Sequence, residues 1–228
     1  MSEQPSQAVQ DYLKAIHRLG GGDGVVSPAE IATTLRVKAP SVTGMLKRLG
    51  DAGWVAYTPK AGARLTPRGL AEALRVIRRH RLVELFLTQV LKLDWSEVDA
   101  EAEALEHAIS PRLEQAIADH LGEPIEDPHG HLIPSSSGEL RHRNLRRLSE
   151  FAAGQTVVVR EAQDDNPARL RHWRELGLTP GATVHVRHYQ PLDDLFEVEV
   201  NGRLIRLGSE GLAGLQGEQV SPDNSAAG

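Results

Sequence analysis

The chain contains no cysteine, which excludes disulfides, cysteine nucleophiles, thiolate zinc sites and iron–sulfur clusters. Any bound metal ion must therefore be held by histidine and carboxylate side chains. The sequence also has no uncharged apolar run of the roughly 20 residues that cross a bilayer. Its first residues have neither the basic nor the apolar region of a signal peptide. We therefore expect a cytoplasmic protein without a membrane segment.

A large excess of charge of one sign is also missing. The net charge of −5 and the pI near 6.1 argue against a chain that coats nucleic acid along its whole length. Aromatic residues are few, at 4%, but the 40% of hydrophobic and 25% of charged residues are typical of a globular protein. The charge is uneven, however, because residues 94–106 hold six carboxylates and no Lys or Arg.

The N-terminal part has the pattern of a helix-turn-helix followed by a β-hairpin. Apolar residues at helical spacing predict a first helix, which a glycine-rich turn ends. Ser27, Pro28 and Glu30 have the cap, first-turn proline and capping-box spacing of a second helix, and Pro40 begins a third. A turn at residues 59–63 separates two short strand segments. Together these elements predict a winged helix-turn-helix.

Such a domain binds DNA or serves as a protein-interaction module. Residues 1–72 hold nine Lys and Arg against six Asp and Glu, and this local basic excess favours DNA. Small residues stand where the first turn of a recognition helix meets base edges, and basic residues are available to phosphates. The residues that we expect to contact DNA are Arg36, Lys38, Pro40, Ser41, Thr43, Gly44, Lys47, Arg48, Lys60 and Arg64.

A long helix is predicted next, over residues 66–91, and two polar residues interrupt its apolar stripe. His80 and Glu84 are one turn apart and lie in the same arc as the leucines that would face the core. A buried carboxylate without a partner costs several kcal/mol, so something must compensate Glu84. Either the two side chains form a hydrogen-bonded core pair, or they bind a divalent cation.

The following helix, predicted over residues 94–109, carries a denser polar set. Asp99, Glu103, Glu106 and His107 fill an arc of about 100° beside a narrow apolar stripe. Such a run is commonly a solvated helix face. Two carboxylates and a histidine at positions i, i+3 and i+4 also match the way in which helical bundles build metal sites. We favour the metal site.

The ligand types indicate which metal ion would bind. Hard carboxylate oxygens with one or two imidazoles suit Mn²⁺ or Fe²⁺, and the absence of thiolate weakens the case for copper and for structural zinc. Zinc could still bind in vitro, because its intrinsic affinity for such ligands exceeds that of manganese.

The C-terminal part has the pattern of a small β-domain. Residues 122–138 have no helical or strand period and are expected to form an ordered loop or linker. Asn201-Gly202 is a strong two-residue hairpin signal. Residues 216–228 are expected to be frayed. Apolar patterning predicts a short helix and four strands that fit a small barrel: the helix at 167–176 and strands at 156–160, 183–189, 195–200 and 204–207.

Over about residues 7–220 the chain resembles the DtxR family of metal-dependent transcriptional repressors, and within it the manganese-regulator branch. The motifs that carry this resemblance are Asp11-Tyr12-Leu13, Arg79-His80-Arg81-Leu82-Val83-Glu84, Glu103-Ala104-Leu105-Glu106-His107 and Asp127-Pro128-His129-Gly130-His131-Leu132-Ile133-Pro134. The segment from Leu170 to Gly181 resembles the SH3-like, FeoA-type domain of the longer family members.

The resemblance implies a mainly α fold with small β parts, divided into four regions. These are a winged helix-turn-helix DNA-binding domain at 1–72, a helical metal-binding and dimerisation domain with a linker at 73–150, an SH3-like β-barrel of the FeoA type at 151–220, and a disordered tail at 221–228.

It also implies two metal sites. The primary site consists of Asp11, Glu103, Glu106 and His107. Oxygen donors stand at positions 11 and 103, where the iron-responsive branch has methionine and cysteine, so the resemblance favours a manganese response. The ancillary site consists of His80, Glu84, Asp99, Glu161 and Asp164. Glu161 could equally be a surface charge at the end of a strand.

Lys14 departs from the pattern of the manganese branch. Members without the third domain carry another carboxylate at this position. An ammonium group beside the primary site would repel a second cation. We therefore expect two separated metal sites instead of a closely spaced pair, with one of them bridging to the C-terminal domain.

The expected function is that of a Mn²⁺-activated, or Fe²⁺-activated, transcriptional regulator that represses metal-uptake genes. An ion that joins Asp11 to the acidic helix would fix the orientation of two winged helices in a homodimer on double-stranded operator DNA. Val83, Phe86 and Val90 are candidate dimer contacts, or else core residues. We expect no enzymatic activity. The alternatives are a metallohydrolase with an accessory winged helix, and a transcription factor that senses a small organic effector.

Overall fold

The computed structural model describes residues 5–20, 22–163 and 166–220, and the predicted tail at 221–228 lies outside them. The chain forms two compact units. Of the described residues, the first unit contains those up to His80 together with Leu105–Pro111 and Pro134–Leu140. The second unit contains Arg81–Ala104, Arg112–Ile133 and the described residues from Arg141 onward. Among the described helices, none has the length and apolar character needed to span a membrane.

The first unit begins with three helices and a two-stranded hairpin. These are α1 (Gln7–Gly20), α2 (Pro28–Thr34), α3 (Ala39–Asp51), β1 (Val55–Thr58) and β2 (Gly62–Leu65), followed by the long helix α4 (Pro67–Gln89). Ser27 caps α2 and forms the predicted capping box with Glu30. The apolar faces of the helices and the hairpin enclose one core, which includes Leu13, Ile31 and Leu46.

The second unit contains the end of α4, two helices and a six-stranded antiparallel sheet. Its elements are α5 (Val98–Leu105), α6 (Pro111–His120), β3 (Arg146–Arg147), a 3₁₀ helix (Leu148–Glu150), β4 (Thr156–Ala162), α7 (Pro167–Leu176), β5 (Thr183–Gln190), β6 (Leu195–Val200), β7 (Arg203–Gly208), α8 (Ser209–Leu212) and β8 (Leu215–Gln219). The strand order is β3-β8-β4-β5-β6-β7. Trp173 of α7 is fully buried in the core of this unit, and its indole donates to the carbonyl of Gly211.

Two sequence-based expectations are wrong. Residues 216–219 are not frayed, because they belong to β8, which lies between β3 and β4 in the sheet. The acidic helix does not continue to residue 109, because α5 ends at Leu105 and a hydrogen-bonded turn follows, closed by the Ala108 N–H on the carbonyl of Leu105. Glu106 and His107 therefore lie in a turn and not on a helix.

Candidate metal centre and DNA-binding surface

Three of the predicted primary ligands come together in the first unit. Asp11 is on α1, and Glu106 and His107 are in the turn after α5. Each offers a ligand atom within 4.8 Å of the others, and we call these three residues the first cluster. The Nε2 atom of His107 lies 2.8 Å from Oδ1 of Asp11 and 3.3 Å from Oε1 of Glu106. Among the described residues this buried Nε2 has no partner with hydrogen-bond geometry.

A short hydrogen-bonded chain fixes the orientation of His107. Its Nδ1 lies 2.8 Å from Oε1 of Gln10, and the amide nitrogen of Gln10 donates to Oε1 of Glu72 at 2.7 Å. The Glu72 carboxylate can only accept, so the Gln10 amide must present its oxygen to His107. His107 therefore carries its proton on Nδ1 when neutral, which leaves the lone pair on Nε2 facing the two carboxylates.

Glu106 is the most buried member of the first cluster, with a side chain that is 0% exposed. Nζ of Lys14 lies 2.7 and 2.8 Å from its two oxygens, and Nδ1 of His80 lies 2.6 Å from Oε2. Burial by itself raises the pKa of Glu106, but the hydrogen bond from His80 and the charge of Lys14 outweigh it, so its pKa lies below the ordinary value. Glu106 is therefore an ionised buried carboxylate that pairs with the ammonium of Lys14 and is hydrogen-bonded to His80.

The remaining predicted ligands are distributed over both units. Glu103 is exposed on the last turn of α5, three residues before Glu106. Glu84 and Asp99 both belong to the second unit and offer ligand oxygens within 4.8 Å of each other. His80 is one helical turn before Glu84, and its Nδ1 faces Glu106. Glu161 lies on β4, where it is partly buried.

The predicted ligand Asp164 lies outside the described residues. Its proposed role therefore rests on the sequence resemblance.

A second group of metal-ligating side chains lies in the loop after α6. Asp127, His129 and His131 offer ligand atoms within 4.8 Å of one another, and we call them the second cluster. Nε2 of His129 lies 2.9 Å from the carbonyl oxygen of Trp95, so Nε2 carries the proton and Nδ1 faces Oε1 of Glu84 at 3.4 Å. This segment belongs to the family motif Asp127–Pro134, but neither spacing nor resemblance predicts metal ligands within it.

The second cluster is already charge-compensated. Oδ1 of Asp127 accepts hydrogen bonds from the backbone N–H groups of His129 and His131. Oδ2 lies 3.1 Å from Nδ1 of His131 and 3.6 Å from Nε of Arg81. Burial raises the pKa of Asp127, but the charges of His131, His129 and Arg81 bring it down to about 2. Burial lowers the pKa of His131, yet the Asp127 charge beside it raises the value above its usual range.

The loop that holds the second cluster packs directly on the backbone of β4. The Ala162 N–H donates to the His129 carbonyl at 2.9 Å. Gly130 has a φ of +86°, and a Cβ at this position would lie 1.8 Å from the Arg160 carbonyl oxygen. Only glycine fits here without moving backbone.

The donor set of the first cluster fits a divalent cation. Two carboxylates and an imidazole lone pair converge from separate chain segments. Among the described residues, the buried Nε2 of His107 neither donates nor accepts a hydrogen bond. Oxygen and imidazole donors suit Mn²⁺ and Fe²⁺. Asp11, Glu106 and His107 could therefore hold such an ion, with Glu103 on the adjoining helical turn.

The predicted DNA-contacting residues lie on α3, the turn before it and the β1–β2 hairpin. All of them are exposed except Thr43, which is partly buried and donates to the Ala39 carbonyl. Arg36 and Lys60 are in turns with positive φ values of 53° and 70°. Arg68 stacks on the Trp54 ring, 3.7 Å from its centroid, at the junction of the hairpin and α4.

The three candidate dimer residues differ in exposure. Val83 is buried within the chain at 2% exposure, which agrees with its alternative assignment as a core residue. Phe86 is partly buried and lies edge-on to the ring of His120, whereas Val90 is exposed. Contact with a second copy stays a prediction for Phe86 and Val90.

Three family matches follow the same order as these structural parts. Residues 6–63 match "Iron dependent repressor, N-terminal DNA binding domain". Residues 66–135 match "Iron dependent repressor, metal binding and dimerisation domain". Residues 146–213 match "FeoA domain". These matches confirm the predicted combination of a winged helix-turn-helix, a helical part and an SH3-like part.

Individual relatives cover most of the chain. The iron-dependent repressor IdeR of Mycobacterium tuberculosis is 32% identical over 190 residues, which span 77% of this chain and 81% of that protein. The transcriptional regulator MntR of Lysinibacillus sphaericus is 31% identical over 106 residues, 46% of this chain and 76% of that protein. The solved structure "Manganese-dependent transcriptional repressor complex with manganese" has a TM-score of 0.86 and 31% identity, covering 93% of this chain and 100% of that one.

These relatives are DNA-binding regulators, which removes the metallohydrolase alternative, and their metal dependence removes the organic-effector alternative. The fold, the order of the three matched parts and the identity over most of a curated relative lead to one assignment. The chain belongs to the DtxR family of metal-dependent transcriptional repressors.

Proposed function

We propose that the protein is a repressor of metal-uptake genes that responds to Mn²⁺, with Fe²⁺ as a second possible corepressor. The observation that carries the proposal is the donor set of the first cluster: Asp11 and Glu106 supply carboxylate oxygens and His107 an imidazole nitrogen, in a chain without any thiol. Hard oxygen donors favour Mn²⁺ over softer ions. Relatives of the chain are named for iron and for manganese.

The proposed primary site consists of Asp11, Glu103, Glu106 and His107. The bound ion would supply positive charge to three carboxylates whose mutual repulsion otherwise opposes their approach. Gln10 and Glu72 support the site by holding the His107 lone pair on Nε2.

A second, ancillary site is proposed around Glu84. Its candidate ligands are His80, Asp99, Glu161 and Asp164, and the second cluster adds Asp127, His129 and His131. Support comes from the 3.4 Å approach of His129 Nδ1 to Glu84 and from the packing of residues 129–130 on β4. We propose that this site raises metal stoichiometry and stabilises the second unit.

Repression would follow from linkage between metal and DNA binding. Asp11 lies on α1, which packs in the core of the winged helix-turn-helix, and Glu106 and His107 lie outside that domain in sequence. Tying these segments together selects one orientation of α3, so a homodimer presents two recognition helices to successive major grooves roughly 34–36 Å apart. By reciprocity, operator DNA tightens metal binding, with a coupling of about 1–3 kcal/mol.

The test is Mn²⁺-dependent retention of a palindromic promoter fragment in a gel shift. Asp11→Ala is expected to abolish the metal-stimulated shift and to leave a folded dimer in sedimentation. Asp23→Ala removes an exposed carboxylate from the same unit and is the matched control, with no expected effect. An unchanged metal-stimulated shift in Asp11→Ala would contradict the assignment of the site.

A further inference from the structure

Lys14 brings a positive charge into the place where the proposed ion would bind. Its Nζ lies 2.7 and 2.8 Å from the two oxygens of Glu106, and 3.5 Å from Nδ1 of His80. The Glu106 side chain is 0% exposed and that of Lys14 is 12% exposed. Lys14 and Glu106 therefore form an ion pair that is largely shielded from water, unlike the exposed lysines of α3 and the hairpin.

A buried carboxylate requires a compensating positive charge with or without a bound metal ion. In this structure the ammonium of Lys14 supplies that charge to Glu106. A divalent cation on the same carboxylate would approach the ammonium closely, and two cations repel strongly where little water screens them. The ammonium and the metal ion are therefore alternative partners of Glu106.

Because Lys14 lies on α1, either its ammonium or a metal ion bound by Asp11 can connect this helix to Glu106. Lys14 and Asp11 are three residues apart on this helix and so project from one side of it. Lys14 reaches Glu106, whereas Asp11 faces His107. The helix can thus be held to the turn at 106–108 directly through Lys14, or through Asp11 and a shared ion.

We propose that Lys14 is the internal counter-ion of the metal-free repressor, and that its ammonium must leave Glu106 for Mn²⁺ to bind. The proposal rests on the metal site assigned above to the first cluster. Displacing the ammonium opposes metal binding, so Lys14 sets the Mn²⁺ concentration at which the repressor responds. The Lys14 side chain is long and flexible and is 12% exposed, so it is not fully enclosed when it pairs with Glu106.

Metal affinity in three variants tests the proposal. Lys14→Met keeps the apolar stem without the charge, Lys14→Arg keeps the charge, and Arg18→Met removes an exposed charge one turn further along α1. By calorimetric titration with Mn²⁺ we expect Lys14→Met to lower the dissociation constant at least tenfold, and the other two to change it less than threefold. Unchanged or weaker Mn²⁺ binding in a folded Lys14→Met would overturn the proposal.

A measurement on the unaltered protein does not depend on the folding of a variant. Lysine acetylation by a water-soluble acylating reagent, followed by mass spectrometry, reports how accessible each ammonium is. We expect the labelling rate of Lys14 to rise at least fivefold when Mn²⁺ saturates the protein, and that of exposed Lys47 to stay constant. A Lys14 rate that is constant or falls on adding Mn²⁺ would contradict displacement.

One further titration separates this proposal from the function on which it rests. If Asp11→Ala loses one Mn²⁺ equivalent and the Lys14 experiments are negative, only the counter-ion role is refuted. If Asp11→Ala binds Mn²⁺ with unchanged stoichiometry and affinity, the metal site itself is refuted, and the role of Lys14 with it.

Discussion

The first and second clusters both combine carboxylate and imidazole side chains, but they differ in how far apart in the sequence these side chains lie. The first cluster joins α1 to the turn after α5, and the ion pair that its member Glu106 forms with Lys14 of α1 spans 92 positions of sequence. The second cluster spans five consecutive residues, 127–131, of one loop, and Oδ1 of Asp127 accepts hydrogen bonds from backbone N–H groups of the same five residues. One is a junction between distant segments, and the other is a local turn.

This difference determines what an ion can do at each place. At the first cluster an ion would replace contacts between separate segments, so its binding can change how those segments are arranged. At the second cluster the loop geometry is already fixed by hydrogen bonds and by Gly130 against β4, so an ion adds local stability. We therefore expect control of DNA binding to depend on the first cluster and to depend much less on the second.

The largest expected effect comes from neutralising one buried carboxylate in each cluster. Glu106→Gln is expected to abolish Mn²⁺-stimulated DNA binding, because the ligand carboxylate is lost and Lys14 loses its partner. Asp127→Asn is expected to destabilise the fold by about 3 kcal/mol, since Arg81 and His131 lose a buried counter-charge, and to lower Mn²⁺ stoichiometry. Its DNA affinity at saturating Mn²⁺ should change less than tenfold.

Gel shifts, calorimetry and urea unfolding measure these three properties, and Glu97→Gln, an exposed acid just before α5, is the control. Loss of DNA binding in Asp127→Asn at a temperature where it is folded would break the comparison. It would mean that both clusters control the DNA-binding state.

The next effect tests whether the second cluster is fixed by its backbone. Gly130→Ala forces a side chain into positive φ and against the Arg160 carbonyl, and we expect a loss of at least about 3 kcal/mol of unfolding free energy. Gly154→Ala is the matched control, because Gly154 has the same φ of +86° with no atom within 4 Å of an added Cβ. It should lose only about 1–2 kcal/mol. Equal losses in the two variants, measured by urea unfolding, would show that the loop yields without cost.

The sequence predicts the first cluster better than the second, because helical periodicity and the family resemblance point to its ligands although they are far apart in the chain. Helical spacing brought Glu103, Glu106 and His107 to one face, and the resemblance added Asp11. The structure departs in one respect, since α5 stops at Leu105 and Glu106 turns inward to Lys14 and His80. Residue spacing along one helix cannot reveal that Glu106 pairs with Lys14 and His80, because these two partners belong to α1 and α4.

Sequence patterns do not predict the second cluster or strand β8, and the reason is physical. Residues 127–131 have neither helical nor strand period, and their convergence depends on the positive φ of Gly130 and on hydrogen bonds to Asp127. The segment Leu215–Gln219 contains glycine and polar residues, which are poor in intrinsic strand preference. It forms β8 because β3 and β4 pair with it on both sides, and Gly217 fits against the backbone of Val158.

The smallest expected effect concerns how each cluster orients its imidazole. In the second cluster the carbonyl of Trp95 fixes His129, whereas in the first the side chain of Gln10 fixes His107. Gln10→Met removes the Nδ1 partner, so a neutral His107 can place its proton on Nε2 and lose the ligand lone pair. We expect Mn²⁺ affinity at the first cluster to fall about 10-fold to 100-fold, with Gln7→Met, exposed on the same helix, as the control. The ¹⁵N shifts of His107 in its neutral form, recorded on metal-free protein, should change from those of one tautomer to those of a mixture. A lower affinity with an unchanged tautomer would indicate that Gln10 acts through packing of α1, and the dependence of the first cluster on distant side chains would then rest on Lys14 and His80.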